Sequence, residues 1–249
     1  MSSIVISFIV FACVLGGGLL GLLLRSALPE QHLSGDSKDA VKVGMGLVGT
    51  MAALVLGLLV ASAKASYDAQ GSQLVQLAAN VVLLDRLLAH YGPETKEARD
   101  VLREAVTRFL DKTWSKTGTG SPGETPGGGE PLFDKIQALS PKDDRQRSLQ
   151  AQAWSLLMSL GQMRWLMYEQ GITSVSMPLL VVLVLWLALI LGSLGLFAPA
   201  NATVITSMSI CALSVSAAIF LILEMYVPFS GPIHLSDAPV RAALAQLGQ

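Results

Sequence analysis

The fold is decided by one apolar run, VGMGLVGTMAALVLGLLVASA (Val43–Ala63), which has no charged residue and is bracketed by Lys42 and Lys64. About 20 apolar residues, at a rise of about 1.5 Å per residue, span the hydrocarbon core of a bilayer. The run therefore predicts a membrane-spanning helix. The helical pattern continues beyond Lys64 to Tyr91, which predicts one long helix with Gly71 as its weakest position.

Three further apolar runs predict three more spans, which makes the chain an all-α integral membrane protein with four transmembrane helices. They cover about Ile4–Leu24, Met177–Phe197 and Thr203–Glu224. The first has a long apolar core and no basic residue before it, which favours a retained span over a cleaved signal peptide. The spans are predicted to form two hairpins, in residues 1–63 and 176–226.

The composition agrees with a membrane protein. Of the 249 residues, 52% are hydrophobic and only 14% are charged, whereas soluble domains average about 25% charged. The net charge of -1 gives no reason to expect nucleic acid as a partner. Cys13 and Cys211 both lie in apolar runs, where packing explains them better than a disulfide or a metal site.

Small and polar residues within the spans indicate helix–helix contacts. The glycines from Gly16 to Gly18 and Gly21 let another helix approach the first span closely, and a kink at the triplet is the alternative. Thr203, Ser207 and Ser214 share one face of the last span. They form a polar seam that can hydrogen-bond to a neighbouring helix.

Residues 64–175 are predicted to form an extramembrane helical bundle between spans two and three. Glu94–Lys116 and Lys142–Gln170 are amphipathic, whereas Thr117–Pro131 is low-complexity and predicts a disordered loop. The tail, residues 227–249, is predicted to carry a short helix. The start of the bundle has a heptad-like seam, formed by Leu74, Leu77, Val81, Leu84 and Leu88. This seam packs either inside the subunit, which we favour, or against its copies around a symmetry axis.

The second span also carries a stripe of small side chains. At about 100° per residue they share one face with the flanking lysines; the set is Lys42, Gly46, Gly49, Thr50, Ala53, Gly57, Ala61 and Lys64. If this face lined a symmetric pore, the copies of Lys42 and of Lys64 would form basic rings at the two pore mouths, and such rings concentrate anions. Close helix packing, with lysines that snorkel to the interfaces, is the alternative interpretation.

Several segments are similar to a bacterial membrane-protein family labelled bestrophin-like. They are HLSGDSKDAVKVGMGLVGTMAALVLGLLVASAKASYD (His32–Asp68), LLDRLLAHYGPETKEARD (Leu83–Asp100), FDKIQALSP (Phe133–Pro141), FAPANATV (Phe197–Val204) and ALSVSAAIFLILEM (Ala212–Met225). The resemblance covers nearly the whole chain. It implies a four-span subunit of an oligomeric anion channel, but no bestrophin pore-neck or calcium-clasp motif is found here.

Glu224, near the end of the last span, is an intramembrane or interfacial acid and so a candidate functional residue. We expect no catalytic, cofactor-binding or metal residues. The histidines His32, His90 and His234 are scattered, and no phosphate-binding loop or metalloprotease motif occurs. The chain is therefore not expected to be an enzyme or to need a cofactor.

Four spans place both termini on the same side of the membrane as the bundle. The numbers of basic residues near the membrane are almost equal on the two sides, so the positive-inside rule hardly favours either orientation. The uncharged connector after span three favours a cytoplasmic bundle in a bacterial inner membrane. The leading hypothesis is a homo-oligomeric, anion-preferring ion channel whose partners are lipid, copies of itself and inorganic ions. The alternative is a non-conducting scaffold or sensor whose bundle binds a partner protein.

Overall fold

The computed structural model describes residues 2–29, 35–114, 130–172 and 176–248. Its helices are α1 (Ser3–Ala27), α2 (Gly35–Tyr91), α3 (Lys96–Thr113), α4 (Glu130–Gln137), α5 (Asp144–Ile172), α6 (Met177–Phe197), α7 (Ala202–Met225) and α8 (Ala238–Gln246). A short 3-10 turn, Pro93–Thr95, joins α2 to α3. None of the described residues lies in a β-strand, which confirms the all-α class.

Four helices, α1, α2, α6 and α7, are long and apolar enough to cross a membrane. This agrees with the four predicted spans. The long helix through Val43–Ala63 is also confirmed, because α2 continues for 57 residues without a break at Gly71.

The predicted loop Thr117–Pro131 lies outside the described residues, except at its end. Glu130 and Pro131 are the first two residues of α4, so the predicted loop extends two residues too far at this end. Proline is tolerated there because the first backbone N–H groups of a helix have no intrahelical acceptor.

The chain divides into two compact units. Unit 1 comprises Met1–Ala65 and Ser174–Tyr226, and unit 2 comprises Ser66–Thr173 and Val227–Gln249. The long helix α2 contributes residues to both. The C-terminal segment after α7 is part of unit 2.

In unit 1, α1 packs against α6 and α7, and glycines bring α1 and α6 into backbone contact. A Cβ atom built on Gly17 would lie 2.6 Å from the carbonyl oxygen of Ala188, and Gly21 meets Gly192 of α6 in the same way. Glycine at these positions lets two membrane helices approach closely. The predicted close approach is confirmed, and α1 remains one helix through the triplet.

In unit 2, the heptad-like seam of α2 is buried inside the subunit. Leu74, Leu84 and Leu88 belong to one core cluster with α3 and α5, and Leu102, Val106, Leu157 and Met167 are among its other members. The intramolecular alternative is therefore confirmed. The seam buries apolar area that an isolated helix would expose to water.

The C-terminal segment is fixed to this core by apolar and polar contacts. Val240, Ala243 and Leu247 are buried in the same cluster. The backbone N–H of Gly248 donates a hydrogen bond to Oδ2 of Asp85, over 3.2 Å. The buried Asp85 carboxylate also accepts two hydrogen bonds from the Arg99 guanidinium, at 2.8 and 2.9 Å.

We expect the Asp85→Asn substitution to lower the stability of the protein. An amide keeps the shape of the carboxylate but cannot accept both guanidinium hydrogen bonds, and losing a charged buried partner costs about 1–3 kcal/mol. The apparent Tm of the detergent-solubilised protein measures the effect. Glu97→Gln is the control, because Glu97 pairs with Lys135 at the exposed surface, where solvent screening leaves an ion pair little effect on stability. Equal Tm values for both variants would contradict this.

Candidate pore surface on the second helix

The small-residue stripe of α2 faces away from the helices of its own unit. Its members Gly46, Thr50, Ala53, Gly57 and Ala61 are exposed, whereas Gly49 is partly buried. A Cβ atom on Gly49 would be 3.9 Å from Cδ1 of Ile190, at ordinary contact distance. Within the described part of the chain, the small residues of the stripe therefore form a largely exposed surface.

A different face of α2 holds this helix to unit 1. Ala52, Leu59 and Ala63 are buried in its apolar core, and Val55 and Leu56 pack against that core. At about 100° per residue, the centre of this buried face lies about 120° from the centre of the stripe, and the two faces meet near Gly49 and Leu56. Packing within the subunit thus fixes the direction in which the stripe points.

A second exposed arc of α2 lies beside the stripe and carries large apolar side chains. Leu47, Met51, Leu54 and Leu58 are its members, and all four are exposed. Large apolar side chains suit contact with lipid or with another apolar surface. Neighbouring arcs of α2 thus differ sharply in side-chain size.

The stripe itself offers few polar groups. The Thr50 hydroxyl donates a 3.0 Å hydrogen bond to the carbonyl oxygen of Gly46, one turn earlier on the same helix. Its oxygen can still accept a hydrogen bond from water or from another donor. The stripe between the two lysines therefore consists of small side chains, is weakly polar and carries no charge.

The two lysines lie at either end of the apolar run, and each has an acidic neighbour. Nζ of Lys42 is 3.3 Å from Oδ1 of Asp39, and both side chains are well exposed. Asp68 follows Lys64 at the i+4 position. A carboxylate so close to a lysine reduces the positive field of that lysine at a pore mouth. The helical periodicity that places Lys42 on the stripe does not include this effect.

The polar seam of α7 is exposed rather than engaged with another helix of unit 1. Thr203 and Ser207 line an open groove along α7, and the Ser214 hydroxyl donates to Ile210 of its own helix, over 2.9 Å. The polar contact between α1 and α7 is made elsewhere. The buried Ser216 hydroxyl donates to the carbonyl oxygen of Ser7 over 2.6 Å.

Other polar contacts secure the ends of the apolar helices of unit 1. The Asn201 side chain caps α7 by accepting a hydrogen bond from the Val204 N–H, over 2.9 Å, and Arg25 donates to the carbonyl oxygen of Ala198. The Ser62 and Tyr226 hydroxyls are 3.2 Å apart and join α2 to the residue after α7. These contacts were not predicted from the sequence, although Asn201 at a helix start is a recognisable capping signal.

Glu224 is a buried acid in the last turn of α7, not a member of the exposed stripe. It is 6% exposed, and among the described residues no hydrogen-bond partner lies within reach of its Oε2. The negative end of a helix dipole makes this a costly place for a carboxylate. The carboxyl group is thus packed among other residues of the protein rather than exposed on its surface.

We expect the Glu224→Met substitution to raise the apparent Tm. It keeps the side chain nearly as large and removes a buried Oε2 atom that has no hydrogen-bond partner among the described residues, and a buried polar atom without a partner costs about 1–3 kcal/mol. Leu221→Met, on the exposed side of the same helix, is the matched control. A lower Tm for Glu224→Met would show that the carboxyl group makes a stabilising contact.

These features define a multi-pass, all-α membrane protein whose second helix presents an unpartnered small-residue surface. A family model described as the bestrophin-like domain matches residues 12–240. The chain therefore belongs to the bestrophin-like family, as the resemblance indicated. The bestrophin family includes ion channels. No curated protein and no solved structure matches the chain.

Proposed function

We propose that the protein is an ion channel built from several copies of this chain, with passive permeation through a pore lined by the stripe of α2. The observation that carries the proposal is the exposure of Gly46, Thr50, Ala53, Gly57 and Ala61 on the single subunit. Small side chains at an unpartnered face leave room for a water-filled bore when copies surround a common axis.

Membership in the bestrophin-like family supports the same proposal, because bestrophins include ion channels. The proposed localisation is a bacterial inner membrane, with the helical bundle and both termini in the cytoplasm. The proposed partners are lipid, further copies of the chain and inorganic ions. No catalytic step and no cofactor form part of this mechanism.

Anion preference is the finer part of the proposal, and it depends on Lys42 and Lys64. Basic rings at the two mouths would raise the local anion concentration. Asp39 beside Lys42 moderates the ring at that end, since the pair is nearly neutral as a whole. We therefore propose a modest anion preference to which both Lys42 and Lys64 contribute.

Thiol labelling tests whether water reaches the stripe. We expect Gly57→Cys in lipid vesicles to react with a membrane-impermeant, water-soluble thiol reagent, in a background where Cys13 and Cys211 are replaced by serine. Leu58→Cys, on the neighbouring large apolar arc, is the control and should stay unlabelled. Labelling of Leu58→Cys but not of Gly57→Cys would mean that the stripe is a dry packing surface.

A second candidate function, a scaffold that binds a partner protein, is favoured by a different observation. In unit 2, α5 exposes Trp154, Met158 and Trp165 at helical spacing on one face. Exposed tryptophan and methionine side chains are common at protein interaction surfaces. Two results together would support this alternative: the protein carries no ion flux, and it binds a partner protein in a complex that is lost when Trp165 is substituted.

A further inference from the structure

The antiparallel seam between α2 and α3 can be followed residue by residue. Near the turn, the Thr95 hydroxyl donates a 2.5 Å hydrogen bond to the carbonyl oxygen of Leu88. One turn further, Asp85 binds Arg99. The antiparallel register set by these two contacts predicts the later levels, which pair Val81 with Leu102, Ala78 with Val106 and Leu74 with Leu110, and all six residues are buried.

The last pair of this seam is polar. Gln70 and Thr113 are each 18 residues from the first pair (88 − 70 and 113 − 95), so the same register places them at one level. Both residues are 1% exposed. The apolar core of unit 2 thus ends in a buried amide and a buried hydroxyl.

Polar atoms at this level lack hydrogen-bond partners among the described residues. They are both Nε2 and Oε1 of Gln70, Oε1 of Gln73 and Oγ1 of Thr113. Gln73 is three residues beyond Gln70, so the two amides project from the same side of α2. Buried polar groups in native proteins nearly always have a partner, either protein or ordered water.

The C-terminal segment covers the same level. The Trp114 indole donates a 2.8 Å hydrogen bond to the carbonyl oxygen of Leu235 and packs edge-to-face on Phe229, with ring centroids 5.7 Å apart. Cδ2 of Leu235 would be 3.4 Å from a Cβ atom on Gly71, next to Gln70. Gln70 and Thr113 are thereby shielded from bulk solvent, whereas the Gln73 residue is partly exposed and only its Oε1 atom is buried.

We infer that this level is an internal hydration site, in which ordered water bridges Gln70, Gln73 and Thr113. The donors and acceptors are uncharged amides and a hydroxyl, which suit a neutral ligand such as water rather than an ion. A buried water typically makes about three hydrogen bonds to such groups. The bridging water would lie next to Gly71, at the end of the apolar seam between α2 and α3.

Water-edited solid-state NMR of the full chain in lipid bilayers, with glutamine side chains labelled with nitrogen-15, tests this inference. Loss of one signal in the Gln70→Leu variant assigns the Gln70 amide. We expect that amide to receive magnetisation from water faster than Gln150, whose Nε2 already donates to Ile136 and Leu139. Transfer to Gln70 as slow as to Gln150 would overturn the inference.

Stability of the substituted chain provides a second measurement. If water joins these groups, Gln70→Leu and Thr113→Val each lower the apparent Tm, and the double variant loses less than the two losses combined. If the level is dry, Gln70→Leu raises the Tm, because it removes an unpaired buried amide. Thr107→Val, at an exposed position of α3, is the control and should leave the Tm nearly unchanged.

Discussion

The Gly21→Val substitution is expected to disrupt unit 1. Even a Cβ atom on Gly21 would overlap the backbone of α6 at Gly192 and Leu196, and valine adds two methyl groups. Backbone atoms of a packed helix cannot rotate away as a flexible side chain can. Overpacking typically costs about 1–3 kcal/mol and sometimes more, and we place this case at the upper end.

The measurement is the apparent Tm of the purified protein together with its elution on size-exclusion chromatography. At this chain length a loss of about 3 kcal/mol corresponds to a Tm shift of about 6–12 °C. Gly16→Ala is the matched control within the same glycine-rich segment, since no atom lies within 4 Å of its built Cβ. Alanine is also the better helix former, by about 1 kcal/mol.

Comparable Tm losses for the Gly21 and Gly16 variants would contradict the close packing of α1 on α6. Alanine at position 16 meets no atom of α6, so a loss of Tm in that variant could not come from contact between α1 and α6. An unchanged Tm for Gly21→Val would show that α6 can shift away from α1 at little cost in stability.

The Ala53→Trp substitution is expected to lower ion flux by more than about tenfold, provided that the stripe lines the pore. Ala53 lies at the middle of the Val43–Ala63 run, and its side chain is exposed on the stripe. An indole there would fill a bore that small side chains leave open, and a hydrophobic constriction also dewets. Flux from reconstituted vesicles measures the effect.

Leu54→Trp is the control, because Leu54 points about 100° away on the arc of large apolar side chains. Its flux should stay near that of the unsubstituted protein. If Ala53→Trp instead dissociates the oligomer, as size-exclusion chromatography would show, the stripe packs against another subunit and does not line a bore.

The architecture could be predicted from the sequence because hydropathy and helical periodicity act locally. Val43–Ala63 is long enough to span a bilayer, and the leucine spacing after Leu74 identifies the buried face of α2. The glycines of α1 likewise indicated close packing. Their partner helix was not predictable, since it depends on which of three apolar helices lies beside α1.

Features that depend on tertiary neighbours were beyond sequence analysis. The buried pair Asp85 and Arg99 joins two helices whose register is set only when they pack, and Gly248 reaches Asp85 from the end of the chain. The burial of Glu224 was also not predicted, because helical periodicity alone does not show what the last turn of α7 packs against. Its burial follows from the packing of the last turn of α7 in unit 1.

The candidate pore surface was partly predictable. Periodicity identified the stripe as one face of α2, and the structure adds that most of this face is unpartnered within the subunit. Periodicity could not reveal the ion pair between Lys42 and Asp39. That pair depends on side-chain rotamers, and it changes the expected field at one mouth.

Ion flux through purified protein in liposomes tests the central proposal most directly. Chloride and potassium gradients are compared for the unsubstituted chain and for the Lys42→Glu plus Lys64→Glu variant. We predict chloride flux that falls or reverses its preference in the variant. A verified folded oligomer that carries neither ion would contradict the channel, and flux that is indifferent to both lysines would contradict their role in selectivity.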